Sequence, residues 1–131
     1  MKLSLVIPAY NEEENIAETI SAIEGALDFD YEIIVINDHS QDTTGAIVSN
    51  LMKRYTNVRL IDNDGARGFA NTLRKGFSCA RGELIIPVMA DLCDDVVTIK
   101  AMVQKISEGF DVVCGSRYMQ DGLRLGGSKI K

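Results

Sequence analysis

The stretch Leu3-Ser4-Leu5-Val6-Ile7-Pro8-Ala9-Tyr10-Asn11-Glu12-Glu13-Glu14 passes abruptly from apolar to polar, and its reading decides the fold. Residues 3–7 are apolar but for Ser4 and carry β-branched Val6 and Ile7, the pattern of a strand buried on both faces, and Pro8 stops it. Asn11 followed three residues later by Glu14 reads as a capping-box pair. Ile16, Ile20, Ile23 and Leu27 then fall on one helical face. A buried strand thus runs through a polar elbow straight into an amphipathic helix.

The same unit recurs outward from there. Glu32–Ile36 is a second buried-type strand, Asn37–Thr44 a polar loop, and Ala46, Ile47, Leu51 and Met52 mark a second helix. Val58–Ile61 is a third strand, followed by a loop with Gly65 and Gly68 and a helix expected to face inward through Phe69, Leu73, Phe77 and Ala80. Glu83–Val88 reads as a fourth strand, Val96, Ile99, Val103 and Ile106 as the next helix face, and Asp111–Cys114 as a fifth strand. The order β-α-β-α-β-α-β-α-β predicts an α/β fold, a mainly parallel sheet flanked by helices. In such sheets the ligand sits beyond the carboxyl ends of the strands. That edge is expected from residues 8–12, 37–42, 62–68, 89–95 and 115–118.

Composition bounds the function. The 131 residues carry 14 Lys+Arg against 19 Asp+Glu, a net charge of −5, with 46% hydrophobic and 25% charged residues. This is an ordinary globular balance, and the length suits one domain over residues 1–131 with residues 119–131 as a flexible tail. No apolar run approaches the roughly 20 residues of a membrane helix. Residues 1–36 hold eight acids and one base, so a general nucleic-acid role is not expected. Cys79, Cys93 and Cys114 form no CxxC pair and read as reduced thiols, hence a cytoplasmic setting. No Gly-Lys-Ser/Thr phosphate loop and no GxGxxG follows the first strand, which counts against a P-loop NTPase and a dinucleotide-dependent oxidoreductase.

Polar groups gather at the expected strand ends: Pro8-Ala9-Tyr10-Asn11-Glu12, Asn37-Asp38-His39-Ser40-Gln41-Asp42, Met89-Ala90-Asp91-Leu92-Cys93-Asp94-Asp95 and Gly115-Ser116-Arg117-Tyr118. Carboxylates at three ends and an arginine at the fourth suit a base or sugar held by acceptors and a diphosphate held by Arg and a hard cation. On residue type alone Asp91 reads more readily as a helix cap than as a functional carboxylate, and Asp38 reads equally as an Asx-turn residue. Arg67, Arg74, Lys75 and Arg81 read as a solvated helix face, and His39 as a solvated loop residue.

These blocks, together with Gly68-Phe69-Ala70 through Gly76 and Ala80-Arg81-Gly82-Glu83, occur in the order seen in family-2 glycosyltransferases. The chain resembles that family, with its GT-A (nucleotide-diphospho-sugar transferase) fold, in the dolichol- or polyprenyl-phosphate sugar transferase branch. The resemblance implies a nucleoside-diphosphate sugar donor (a GDP- or UDP-sugar), Mg²⁺ or Mn²⁺, and transfer with inversion to an acceptor such as a lipid phosphate. It implies that Pro8, Tyr10, Glu12, Asp38 and Ala90 meet the nucleotide. Asp91 is the matching metal carboxylate and catalytic residue, and Arg117 meets the donor phosphates. A metal and a guanidinium on the departing diphosphate stabilise its charge without proton transfer. A phosphate acceptor is already ionised, so no general base is needed.

The sequence departs from the family pattern at Cys93, where many relatives have a polar residue, and in two further places. Met89 stands at the usual first metal carboxylate, and Asn37-Asp38-His39-Ser40 replaces Asp-Asp-Gly-Ser. A thioether is a poor ligand for a hard cation. The alternative reading is a non-catalytic nucleotide-sugar-binding module, and a sugar nucleotidyltransferase ranks below both. Compared with typical relatives, the chain is expected to be the N-terminal part of a longer enzyme whose remaining regions supply acceptor and membrane contacts.

Overall fold

A computed structural model of the protein describes residues 2–91 and 96–114. The chain falls into two compact units, Met1–Val96 and Val97–Lys131. The first unit holds β1 (Leu3–Ala9), α1 (Ile16–Ala26), β2 (Tyr31–Asn37), α2 (Thr44–Leu51), β3 (Val58–Asp62), α3 (Phe69–Cys79) and β4 (Leu84–Pro87). The strands form one parallel sheet in the order β3-β2-β1-β4. Chain direction across the sheet therefore reverses after β3, and β4 returns to the free side of β1. That reversal is the kind of switch point beside which α/β sheets open a ligand crevice.

Both faces of the sheet are buried at its central strands β1 and β2, as their largely apolar runs require. Val6, Ile34 and Ile36 are fully buried and pack with Ile61, Leu73 and Ala80. Leu5, Ile7, Ile33 and Val35 alternate to the opposite face and are also fully buried. Helix α1 contributes a buried stripe of Ile16, Thr19, Ile20 and Ile23 and packs on α2. Tyr31 at the start of β2 donates its hydroxyl to Glu24 of α1 at 2.8 Å. Burial, then that carboxylate, pushes the Tyr31 phenol up to about 12.

Three expectations are corrected. The capping box does not form: α1 begins after Asn15, while Asn11 adopts φ 50° and its side-chain oxygen accepts the backbone N–H of Gln41 at 2.8 Å. A side chain committed across the gap to the next loop is not available to cap its own helix. Helix α3 buries Thr72 and Gly76, whereas Phe69 and Phe77 are 56% and 42% exposed. The reason is contact distance. A Cβ on Gly76 would stand 2.2 Å from Val6 Cγ1, so α3 lies too close to β1 for a large side chain on its inner line. The expected fifth strand over Asp111–Cys114 is absent: residues 111–114 pair with no strand among the described residues, and Val112 is 78% exposed.

The second unit, in its described part, consists of α4 (Val96–Ser107) from its second residue on and the segment that follows it. Lys105 there pairs with Glu108 at 3.4 Å and lies over the Phe110 ring. Among the described residues no helix is long and apolar enough to cross a membrane.

The amino edge of the sheet is pinned by a buried charge. Glu32 accepts Ser4 Oγ at 2.6 Å, the Arg81 backbone N–H at 2.7 Å and Arg59 Nη1 at 3.0 Å. Burial alone would raise the Glu32 carboxyl. The bonds from Ser4, Arg81 and Arg59 outweigh that and hold it below the usual carboxylate range. Gly82 is required in the same corner, because a Cβ there would meet the Lys2 carbonyl oxygen at 2.7 Å.

Candidate functional site

Over the carboxyl ends of β1 and β2 lies an open cleft of about 250 Å³. The β1 end supplies Pro8, Ala9, Tyr10 and Glu12, and the β2 end supplies Asp38. The start of α3 closes the third side with Arg67, Gly68, Phe69 and Thr72. Four residues named from the sequence, Pro8, Tyr10, Glu12 and Asp38, therefore share one concavity.

Asp38 is 6% exposed. Its Oδ1 accepts Asn63 Nδ2 at 3.0 Å and its Oδ2 accepts the Gly68 N–H at 3.1 Å. The Asn63 amide also donates to the Ala66 carbonyl at 3.0 Å, and its own oxygen accepts the Gly65 N–H at 3.1 Å. One carboxylate thus fixes the whole turn between β3 and α3. Each carboxylate oxygen retains a further acceptor site, so the group can still take an N–H or O–H from a ligand. His39 is held at φ 60°, an uncommon conformation for a residue with a side chain. Its Nε2 lies 2.8 Å from the Gly65 carbonyl oxygen. A carbonyl only accepts, so Nε2 carries the proton. His39 is an exposed loop residue, as expected, and it also ties the same turn down.

The loops after β1 and β2 interlock. Ser40 Oγ accepts the Asn11 N–H at 3.0 Å and Thr44 Oγ1 accepts the Glu12 N–H at 2.9 Å. Glu13 Oε2 takes both the backbone N–H and the hydroxyl of Thr43, at 3.1 and 2.7 Å, and so caps α2 from outside rather than serving its own helix. Asp42 accepts the Glu13 N–H at 3.2 Å and both donors of Thr44. Slight desolvation would raise the Asp42 carboxyl, but these bonds hold it below the usual range. The cleft floor is therefore preorganised by backbone-directed polar contacts.

Ala90 and Asp91 follow β4 on the other side of β1. The Val88 N–H donates to the Val6 carbonyl at 2.8 Å, carrying the chain past Pro87 towards the same carboxyl edge. Ala90 is buried, and its carbonyl accepts Thr19 Oγ1 at 2.6 Å. Asp91 is exposed. Arg117, Cys93, Asp94 and Asp95 lie outside the described residues.

Among the described residues no three His, Cys, Asp or Glu come together as a metal cage. Asp91 is the carboxylate at the expected position, and Met89 beside it, 40% exposed, has no hard donor. This donor set fits Mg²⁺ or Mn²⁺ only as a cation shared with ligand phosphates, the mode in which one carboxylate suffices.

Sequence reasoning missed Arg67. It belongs to the turn before α3, and its guanidinium carbon lies 3.4 Å from the Tyr10 ring centroid. Two other members of that basic set go elsewhere. Lys75 pairs with Asp64 at 3.2 Å and holds its carboxyl below the usual range, while Arg81 serves Glu32 through its backbone. The signal for Arg67 was its place directly before Gly68, whose N–H Asp38 needs.

The comparisons agree with this architecture. Residues 4–128 match the profile described as glycosyl transferase family 2. The chain is 36% identical over 123 residues to a dolichol-phosphate mannosyltransferase of Pyrococcus furiosus, covering 93% of this chain and 35% of that protein. It is similar in structure to S. aureus TarS, solved in complex with UDP, with TM-score 0.69 and 26% identity over 82% of this chain and 32% of that one. It also shares its fold with the mannosyltransferase PcManGT of Pyrobaculum calidifontis, solved with GDP-Man and Mn²⁺. There the TM-score is 0.72 and the identity 24%, covering 82% of this chain and 32% of that one. The chain spans about a third of the length of the curated relatives it matches. The fold is the GT-A fold, and with the profile covering nearly its full length the chain belongs to glycosyl transferase family 2.

Proposed function

We propose that this chain is the donor-binding part of an inverting glycosyltransferase that moves a sugar from a nucleoside diphosphate to an acceptor such as a polyprenyl phosphate. The observation that carries the reading is the convergence of Tyr10, Glu12 and Asp38 on one cleft beside the switch point of the sheet. An aromatic ring and two carboxylates suit a nucleoside: the ring for the base, the acceptors for base N–H and ribose hydroxyls. Ala90 lies along the β4 side of the nucleotide, where its buried carbonyl is already oriented by Thr19.

Asp91 would hold a divalent cation, and Arg117 would meet the donor diphosphate. When bound, the cation neutralises charge on the leaving diphosphate. A phosphate acceptor attacks the anomeric carbon with its own ionised oxygen, the bond to the diphosphate breaks, and no protein base takes a proton. Cys79 and Cys114 are free, which supports a reducing, cytoplasmic setting.

Titration calorimetry of UDP and GDP into this chain, with and without Mn²⁺, tests the reading. One nucleotide is expected to bind, more tightly with Mn²⁺, and Asp91→Ala is expected to weaken the Mn²⁺-supported affinity by about tenfold or more. Binding indifferent to both metal and Asp91 would remove the transferase assignment and leave a nucleotide-binding module.

A further inference from the structure

Arg67 lines the cleft, yet nothing above gives it a task. Its guanidinium carbon stands 3.4 Å from the Tyr10 ring centroid, at van der Waals contact, so no other planar group fits on that ring face while it stays there. An arginine beside acidic groups ordinarily pairs with one. Among the described residues Arg67 has no carboxylate within ion-pair distance, although Glu12 and Asp38 line the same cleft. Asp38 accepts instead from Asn63 and Gly68, one bond at each oxygen. The backbone around Arg67 is fixed, since the Ala66 carbonyl accepts both Asn63 and Asn71 and the Gly68 N–H is held by Asp38. The side chain can swing away without the loop moving.

Resting on the reading that the cleft takes a nucleoside, we infer that Arg67 is an internal ligand for Tyr10, a place-holder that an entering nucleobase displaces and that thereby sets the affinity of the site. Stacking of a base on an aromatic ring outweighs an exposed cation–π contact, so the exchange is favourable. Part of the stacking energy is nevertheless consumed in removing the guanidinium. Because every base offers a π-face, this tax falls on purine and pyrimidine nucleosides alike and does not discriminate between them. It also keeps the empty ring from exposing a bare aromatic face.

The test uses uncharged nucleosides, so that attraction between Arg67 and a diphosphate does not mask the effect. Uridine and guanosine are titrated by NMR into the chain and into Arg67→Ala and Arg67→Lys, with UDP and GDP in parallel. Arg67→Ala is expected to tighten the nucleoside bound by the parent chain by about two- to fivefold, the factor for an exposed cation–π contact. Arg67→Lys, which keeps a cation, is expected to stay within about twofold of the parent. Without ligand, the Tyr10 ring protons are expected to shift in Arg67→Ala, which a spectator arginine would not cause. Unchanged or weaker nucleoside binding by Arg67→Ala overturns the inference while leaving the donor-site reading intact, provided UDP or GDP still binds the parent. Failure of every nucleoside and nucleotide to bind the parent chain overturns both.

Discussion

Phe69 is the first residue of α3 and remains 56% exposed while lining the cleft. A large apolar ring left in water at a concave site has a binding explanation more readily than a packing one. Phe69→Ala is expected to lower stability by about 1 kcal/mol or less, because little packing is lost at so exposed a position. The same change is expected to weaken UDP or GDP binding by about fivefold or more, through loss of an aromatic wall. Urea unfolding and calorimetry on one preparation separate the two effects; equal losses in both would make Phe69 a structural residue. Pro8, Tyr10, Glu12 and Asp38 were legible because each sits directly at a strand end, where α/β geometry delivers side chains to one rim. Arg67 and Phe69 were not. The sequence places them near a glycine turn, but only the hold of Asp38 on the Gly68 N–H draws that turn over Tyr10.

At the scale of the element, α3 shows what periodicity conveys and what it conceals. Its largest apolar residues, Phe69, Leu73 and Phe77, repeat at helical spacing and pointed to an inner face. The line that meets the sheet is instead Thr72 and Gly76, with Leu73 and Ala80 flanking it. Close approach selects small residues, and small residues leave no hydrophobic signature. The central strands β1 and β2 were legible because burial on both faces forces a largely apolar run, whereas Val112 and Val113 offered the same letters without a described partner strand. Gly76 puts the α3 argument to measurement. Exchanging glycine for alanine inside a helix gains about 1 kcal/mol of propensity. Against this, a Cβ 2.2 Å from Val6 Cγ1 forces the helix off β1, and overpacking of that kind costs about 1–3 kcal/mol. The contact is between a rigid helix backbone and a buried β-branched side chain, so the steric cost wins. Gly76→Ala is expected to lower the urea midpoint, and a raised midpoint would show that α3 can lift away freely.

Across the first unit, the two edges of the sheet divide the work. The carboxyl edge carries the open cleft and spends its polar groups on holding loops for a ligand. The amino edge closes on Glu32, 3% exposed, which joins β1 through Ser4, β3 through Arg59 and the turn into β4 through the Arg81 N–H. A charge so buried is tolerated only because its oxygens are engaged, and its partner Arg59 keeps a quarter of its side chain in water. Since the folded environment holds the Glu32 carboxyl below its unfolded value, the linkage has a definite sign. Its contribution is fully present above the unfolded carboxylate pKa and is lost as pH falls through the lower, folded one. Glu32→Gln keeps one acceptor but turns an amide N–H₂ towards donors, leaving buried groups unmatched at a cost of about 1–3 kcal/mol near neutral pH. Protonation of the parent Glu32 in acid creates a similar mismatch. The stability difference between the parent and Glu32→Gln, measured by urea unfolding from pH 7 downward, is therefore expected to shrink as the pH drops below the ordinary carboxylate range. A gap that stays constant with pH would mean that the packing of Glu32, and not its charge, fastens the amino edge. In that case the rigidity supplied to β1, and through β1 to Tyr10, would not depend on ionisation at all.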